Sequence, residues 1–304
     1  MRGFFMHSRI VIIRNPVSGI GANLEDLLPG FESVLKRHSM RTYLECWYTE
    51  APDHATELAR KAALEGVDLC IAAGGDGTMH EVALGLMGTK TILGLLPLGS
   101  GNGLARHIGL SLEPLKAFEQ LLTGESHWMD AGEIDGKPFF LAAGFGFEGV
   151  VAHQFAKAGK RGFSQYIRSS VGAYFTYRPL RLKVAYSGRS WEGKVFTSTI
   201  ANGAQYGNNA WIAPKASLTD GMLDWIRILP FPFWKGPGLF YRLLNRKLSA
   251  GRFYQSDQAV GFQLEFKGRV EGHLDGEPVY FENLIRVDCL KAALQIRIPS
   301  QATI

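Results

Sequence analysis

Gly74-Gly75-Asp76-Gly77-Thr78-Met79-His80-Glu81-Val82 follows the apolar run Asp68–Ala73 directly and leads into a helical spacing carried by Val82 and Leu86. A buried strand, a glycine-rich turn and a helix, in that order, is the unit from which parallel sheets are built. The same order recurs on either side. Arg9–Arg14 (RIVIIR) runs into Asn15-Pro16-Val17-Ser18-Gly19, and Thr91–Leu96 runs into Pro97-Leu98-Gly99-Ser100-Gly101-Asn102. Thr42–Tyr48 adds a fourth β-prone run. Helical spacings separate the runs: Leu24, Leu27, Leu28, Phe31, Val34 and Leu35, then Ala55, Leu58, Ala59 and Ala62. Pro29-Gly30 is expected to delay the first of these helices. Strands this uniformly apolar are covered on both faces, and such sheets bind ligands beyond the carboxyl ends of their strands.

The three glycine-rich turns fall at those ends. Glycine admits a close ligand and turns main-chain N–H groups toward phosphate oxygens, and a following helix adds its positive end. One such turn alone reads equally well as a plain connection. Three in register, with hydroxyls at Ser18, Thr78 and Ser100, describe a cradle for a polyphosphate. Neither G-x-x-x-x-G-K-[ST] nor G-x-G-x-x-G on the first strand-to-helix turn is present, which speaks against a P-loop and a standard dinucleotide fold. Asp76 is the informative residue, because a carboxylate repels phosphate unless a cation such as Mg²⁺ lies between them. The plainer role, capping the helix that runs through Glu81, is compatible with it.

Beyond Trp128 the texture changes to strand-like runs: Pro138–Ala142, Arg181–Tyr186, Lys194–Ala201, Leu223–Leu229, Gly261–Phe266 and Ile285–Leu290. Asp135-Gly136, Ser187-Gly188 and Lys267-Gly268 are expected as turns. Two helical inserts are expected near Phe163–Tyr177 and Trp234–Ser249, in a mostly antiparallel sheet or sandwich. The boundary is drawn at 128/129, with the last residues left free to rejoin the first domain. The 304 residues carry a net charge of +5, too mild to imply nucleic acid, and no apolar run is long enough to span a bilayer. Cys46, Cys70 and Cys289 are far apart and in no metal-ligand spacing, which reads as reduced thiols in a cytoplasmic protein.

Asn15-Pro16-x-Ser18-Gly19, Gly74–Val82 and Leu96–Arg106 (LPLGSGNGLAR) together resemble the catalytic domain of diacylglycerol kinases, a superfamily that includes bacterial lipid kinases, sphingosine kinases and ceramide kinases. The resemblance continues through Ala201-Asn-Gly-Ala-Gln-Tyr-Gly, Ala213-Pro-Lys-Ala, Asp220-Gly-Met-Leu-Asp224 and His273-Leu-Asp-Gly-Glu277. It departs at Gly207-Asn208-Asn209, where relatives have a run of glycines.

The resemblance implies a three-layer, Rossmann-like α/β nucleotide domain akin to phosphofructokinase and NAD kinase, followed by a β-sandwich that holds a lipid. It implies a kinase that uses ATP and Mg²⁺ on the hydroxyl of a membrane lipid, diacylglycerol first and a sphingoid base as the alternative. Asn15, Ser18, Gly19, Thr49, Gly74, Gly75, Asp76, Gly77, Thr78, Met79, His80, Ser100, Gly101 and Asn102 would line the nucleotide. Glu277 would be the general base, with Asp76 essential for the metal-nucleotide complex. A second, structural Mg²⁺ would take Asp220 by its side chain and Leu223 and Trp225 by main-chain oxygens. NAD kinase, which shares G-G-D-G, is disfavoured because Gly101-Asn102-Gly103 stands where its Asn-Glu motif belongs. A non-catalytic lipid-binding protein needs neither Asp76 nor Glu277.

Leu229-Pro-Phe-Pro-Phe-Trp234, followed by Lys235, Arg242, Arg246, Lys247 and Arg252 among apolar residues, suits a peripheral membrane contact. A core helix with a solvated basic face fits the same spacing. A homodimer is left open.

Overall fold

The computed structural model describes residues 7–16, 24–38, 41–157 and 163–300, with only the main chain at 7, 41 and 163–169. The first apolar run is β1 (His7–Arg14), in which Ile10, Val11, Ile12 and Ile13 are all fully buried. Successive strand side chains point to opposite faces, so an unbroken buried run means cover on both. It is followed by α1 (Leu24–Arg37), β2 (Arg41–Tyr48), α2 (His54–Leu64), β3 (Leu69–Gly74), α3 (Asp76–Leu86), β4 (Ile92–Pro97), a single turn α4 (Gly103–His107) and α5 (Pro114–Thr123). The strands lie in the order β2-β1-β3-β4, every pair parallel. α2 packs on β1, α3 on β3 and β4, and α5 on β4.

Pro29-Gly30 does not delay α1, which carries both residues inside it. An interior proline costs about 3 kcal/mol, whereas each fully buried large apolar side chain contributes about 1.5–3 kcal/mol. Leu24, Phe31, Val34 and Leu35 are all buried. Gly30 is also what lets α1 approach α5, since a Cβ there would lie 2.5 Å from Leu115 Cδ2, and Phe31 meets Phe118 at 4.4 Å between ring centres.

The chain divides into two compact units, Met1–Met129 with Ala292–Ile304, and Asp130–Lys291. β5 (Glu125–Ile134) leads into the second. There follow β6 (Lys137–Phe139), β7 (Ala142–Gly146), α6 (Phe147–Lys157), α7 (Phe163–Thr176), β8 (Leu180–Tyr186), β9 (Arg189–Val195), β10 (Thr197–Ala201) and β11 (Leu223–Ile228). A 3-10 turn at Phe233–Lys235 then opens α8 (Gly236–Leu244), followed by β12 (Tyr254–Ala259), β13 (Gly261–Leu274) and β14 (Glu277–Ile298). The order β12-β11-β10-β7-β13-β14 is antiparallel across each of its pairs.

β13 explains why this unit is a sandwich. Its carboxyl end pairs with β7 and its amino end with β8, and its register against β14 shifts between Glu265 and Arg269. Lys267-Gly268, expected as a turn, is thus a bulge inside one strand, with Gly268 at φ +76°. A bulge bends its strand and passes it from one layer to the other. Between the layers lie Phe139, Phe145, Trp225, Phe262 and Phe281. Asp135-Gly136, Ser187-Gly188 and Asp275-Gly276 are two-residue hairpin turns with both residues at positive φ, the type I′ geometry that matches strand twist. At the far end of β14, Gln295 and Ile296 pair in parallel with Ile92 and Leu93 of β4, so the strand's last residues, from Ala292 on, belong to the first unit.

Candidate active site

In the first unit the glycine-rich turns gather at the carboxyl edge of the sheet because β1, β3 and β4 are parallel neighbours. β1 ends at Arg14 and Asn15, and Asn15 is half-buried there; Ser18 and Gly19 lie outside the described residues. Thr49, at the end of β2, is buried and donates its main-chain N–H to Arg14 O at 2.9 Å. Arg14 itself is only 7% exposed, and that burial lowers its guanidinium pKa below the usual arginine range. A buried guanidinium thus closes this edge of the sheet, where Arg14 ends the apolar run Ile10–Ile13.

The second and third turns are locked together. Leu98 N donates to Gly74 O at 2.9 Å. Asp76 is the first residue of α3 and does not cap it; Gly75 holds that position in extended conformation. Its carboxylate reaches across to the third turn, where Oδ2 accepts Asn102 N at 2.9 Å and Oδ1 accepts Gly103 N at 2.6 Å. Asn102, left-handed at φ +53°, closes its own loop, with Nδ2 donating to Gly99 O and Oδ1 accepting Gly99 N. Arg106 Nε donates to Gly101 O at 3.0 Å. No side chain fits between the two turns: a Cβ on Gly99 would fall on Gly75, and one on Gly101 would fall on Asp76 Oδ2. Gly74, Gly75, Asp76, Met79, Asn102 and Leu104 border a hollow beneath them. Gly77 and Ser100 are exposed, His80 and Gly101 are half-buried, and Thr78 and Met79 are buried.

The donor chemistry fits a Mg-nucleotide. A carboxylate is the oxygen ligand that Mg²⁺ takes, and the bare glycine backbone around it gives phosphate oxygens close access. In the second unit the implied structural Mg²⁺ fits poorly. The register sets Leu223 against Ala259 and Trp225 against Asp257, which places both residues inside the β11–β12 pairing. Asp220 is exposed, and its Oδ1 accepts Met222 N at 3.0 Å. Gln258 Nε2 lies 3.1 Å from Asp224 Oδ2 and 3.5 Å from Asp220 Oδ2. Burial pushes the Asp224 carboxyl up to about 6, with the neighbouring charge of Asp220 adding to the shift. No group of three or more acidic, histidine or cysteine side chains poised to hold a metal occurs among the described residues.

Glu277 is exposed and follows the type I′ turn of the β13–β14 hairpin, paired with Leu274. The turn is held unusually firmly. Asp275, to which the motif reading gave no role beyond the turn, accepts three main-chain N–H groups, from Phe140 at 2.8 Å, Leu141 at 2.7 Å and Ala142 at 3.0 Å, and donates its own N–H to Ala142 O. The Asp220 loop is anchored in a similar way, with Gly221 N donating to buried Asp130 at 2.6 Å.

Residues 9–134 match the diacylglycerol kinase catalytic domain, and residues 142–281 match the YegS C-terminal NAD kinase beta sandwich-like domain. A diacylglycerol kinase of Bacillus subtilis is 31% identical over 224 residues, 71% of this chain and 72% of that protein. The chain belongs to the diacylglycerol kinase catalytic-domain family. Other members of the family are similar along most of its length: a probable YegS-like lipid kinase of Pseudomonas syringae pv. tomato is 31% identical, covering 84% of this chain and 83% of its own. One from Chromohalobacter salexigens is 29% identical over 80% and 79%. The fold is also that of a solved structure described as a putative diacylglycerol kinase from Bacillus anthracis, with a TM-score of 0.75 at 21% identity over 97% of this chain and 98% of that one.

Proposed function

We propose that this chain transfers the γ-phosphoryl group of ATP to the hydroxyl of diacylglycerol, giving phosphatidic acid. That it is a lipid kinase follows from its family; the choice of lipid is supported by the Bacillus subtilis relative that carries that activity in its name. The observation that carries the reading is the single carboxylate of Asp76, which ties two phosphate-approachable turns into one rigid edge. In the transfer, the lipid oxygen bonds to the γ-phosphorus, the bond to the β–γ bridging oxygen breaks, ADP departs, and the hydroxyl proton passes to the Glu277 carboxylate. Asp76 would hold Mg²⁺ against the nucleotide; when bound, that ion neutralises charge on the phosphate oxygens. Incubating the protein with labelled ATP, Mg²⁺ and a panel of diacylglycerol, sphingosine, ceramide and NAD is expected to label phosphatidic acid. A labelled sphingoid phosphate or NADP would replace the substrate assignment, and no product from any acceptor would refute the activity.

The reading includes a peripheral contact with the cytoplasmic face of a membrane. No helix among the described residues is long and apolar enough to cross a bilayer. Between Trp225 and Ser256 there is no acidic residue, while Lys235, Arg242, Arg246, Lys247 and Arg252 are all exposed. Trp234 is 75% and Phe233 47% exposed beside them, and Phe233 meets Phe175, itself 68% exposed, at 5.0 Å between ring centres. Rings that enter the headgroup layer and cations that meet anionic lipid are the two parts of an interfacial anchor. The variant carrying Phe233→Ser and Trp234→Ser is expected to bind anionic vesicles about tenfold more weakly in flotation assays. Unchanged flotation would place the contact elsewhere.

A further inference from the structure

The two ring nitrogens of His273, a buried residue near the end of β13, serve different partners. Nδ1 lies 3.2 Å from Gly276 N. A main-chain N–H only donates, so Nδ1 accepts, and the neutral ring carries its proton on Nε2. Nε2 faces Glu148 Oε2 at 3.4 Å. Glu148, on α6 and 6% exposed, is held in turn by Thr197 Oγ1 and Thr199 Oγ1 at 2.8 Å each and by the Tyr206 hydroxyl in a short bond. The backbone makes room for the pair, since a Cβ on Gly144 would collide with both the Glu148 carboxyl and the His273 ring. The chain of contacts therefore runs from a buried, multiply held carboxylate through one imidazole to the main-chain N–H of Gly276, the residue before Glu277.

A type I′ hairpin closes through its own strand pair and needs no such support. We propose that His273 is a positioning residue: its Nδ1, oriented by Glu148, pins the Gly276 amide and so fixes where Glu277 projects. This rests on Glu277 acting as the base. Loss of the pin misplaces the carboxylate while leaving nucleotide binding intact, and misplacement by about 1 Å costs up to about 100-fold in rate.

Two near-isosteric variants separate the arms. In His273→Asn the amide oxygen takes the place of Nδ1, so the Gly276 bond survives. In His273→Gln the amide reaches toward Glu148, but nothing accepts from Gly276. His273→Gln is expected to lose about 10- to 100-fold in kcat with the KM for ATP unchanged, and His273→Asn to stay within about threefold of wild type. Glu277→Gln is assayed beside them. If it is inactive while His273→Gln is fully active, or if His273→Asn falls as far as His273→Gln, the positioning role is refuted and the base stands. If Glu277→Gln turns over normally, the base assignment itself is lost, and this inference with it. ¹⁵N NMR of the unmodified protein reads the tautomer without any substitution: a proton on Nε2 supports the assignment, and one on Nδ1 overturns it.

Discussion

Asp76→Asn is expected to lower phosphoryl transfer by about 10²–10³-fold, the scale seen when one preorganised electrostatic group is removed from a reacting site. The substitution keeps the side chain's size and changes two things at once. It removes the negative charge that a magnesium-bound triphosphate requires in this turn. It also replaces one acceptor by an NH₂ group, so either Asn102 N or Gly103 N, at present 2.9 and 2.6 Å from a carboxylate oxygen, is left facing another donor. An unpaired donor of that kind costs about 1–3 kcal/mol, so thermal stability should fall measurably as well. The two effects are separable. Asp76→Ala also strands these amides but leaves space for water to reach them, so a purely structural role predicts that turnover tracks stability across the two variants. The role proposed here predicts that both are equally inactive whatever their melting temperatures. A variant with near-normal turnover at saturating MgATP would remove Asp76 from the machinery.

Much of the fold was legible because burial writes itself plainly into strands. β3, β4 and the Ile10–Ile13 run of β1 are apolar at nearly every position, as a sheet covered on both faces requires. Asp135-Gly136 and Ser187-Gly188 announced their hairpins because both residues sit at positive φ, where few other pairs are comfortable. Lys267-Gly268 misled for the same reason: a glycine at positive φ serves a bulge as well as a turn, and only the pairing partners on either side decide which. β12 (YQSDQA) escaped because it lies at the end of the sheet order and buries only Tyr254 and Ala259. α6 escaped because Glu148, Gly149 and His153 share its buried side with only Val151 and Ala152, too few apolar residues for a clear stripe.

At the site, residue types were legible and partnerships were not. The turns at Gly74 and Gly99 could be found from glycine alone, yet the bond that joins them spans 26 residues, and no local pattern encodes which helix a carboxylate will cap. Capping its own helix is the plainer role its sequence position offers Asp76, whereas its carboxylate accepts the two amides that open α4. Asp275 looked like turn chemistry, which it is, but its carboxylate also gathers three amides from Phe140–Ala142, more than 130 residues away. The implied main-chain ligands at Leu223 and Trp225 lie inside the β11–β12 pairing, a fact of sheet order that composition does not reveal.

Glu277→Gln is expected to cut kcat by about 10²–10⁴-fold, the usual contribution of a positioned general base, with the KM for ATP little changed. Glutamine preserves the side chain's length and, at this exposed position after the hairpin turn, breaks no bond that the fold depends on, because Asp275 and His273 do the anchoring. Loss of activity with an unaltered melting temperature would therefore be a chemical result. The alternative role for an exposed carboxylate in a Gly-flanked turn is solvation of the hairpin tip, which predicts no effect on turnover at all. The pH profile separates a base from a binding group: if Glu277 accepts the hydroxyl proton, the acidic limb of the kcat profile should vanish in Glu277→Gln, leaving a low rate that no longer falls as the solution is acidified. A low rate that keeps the wild-type acidic limb would assign that limb to another group and leave Glu277 a contact to the lipid.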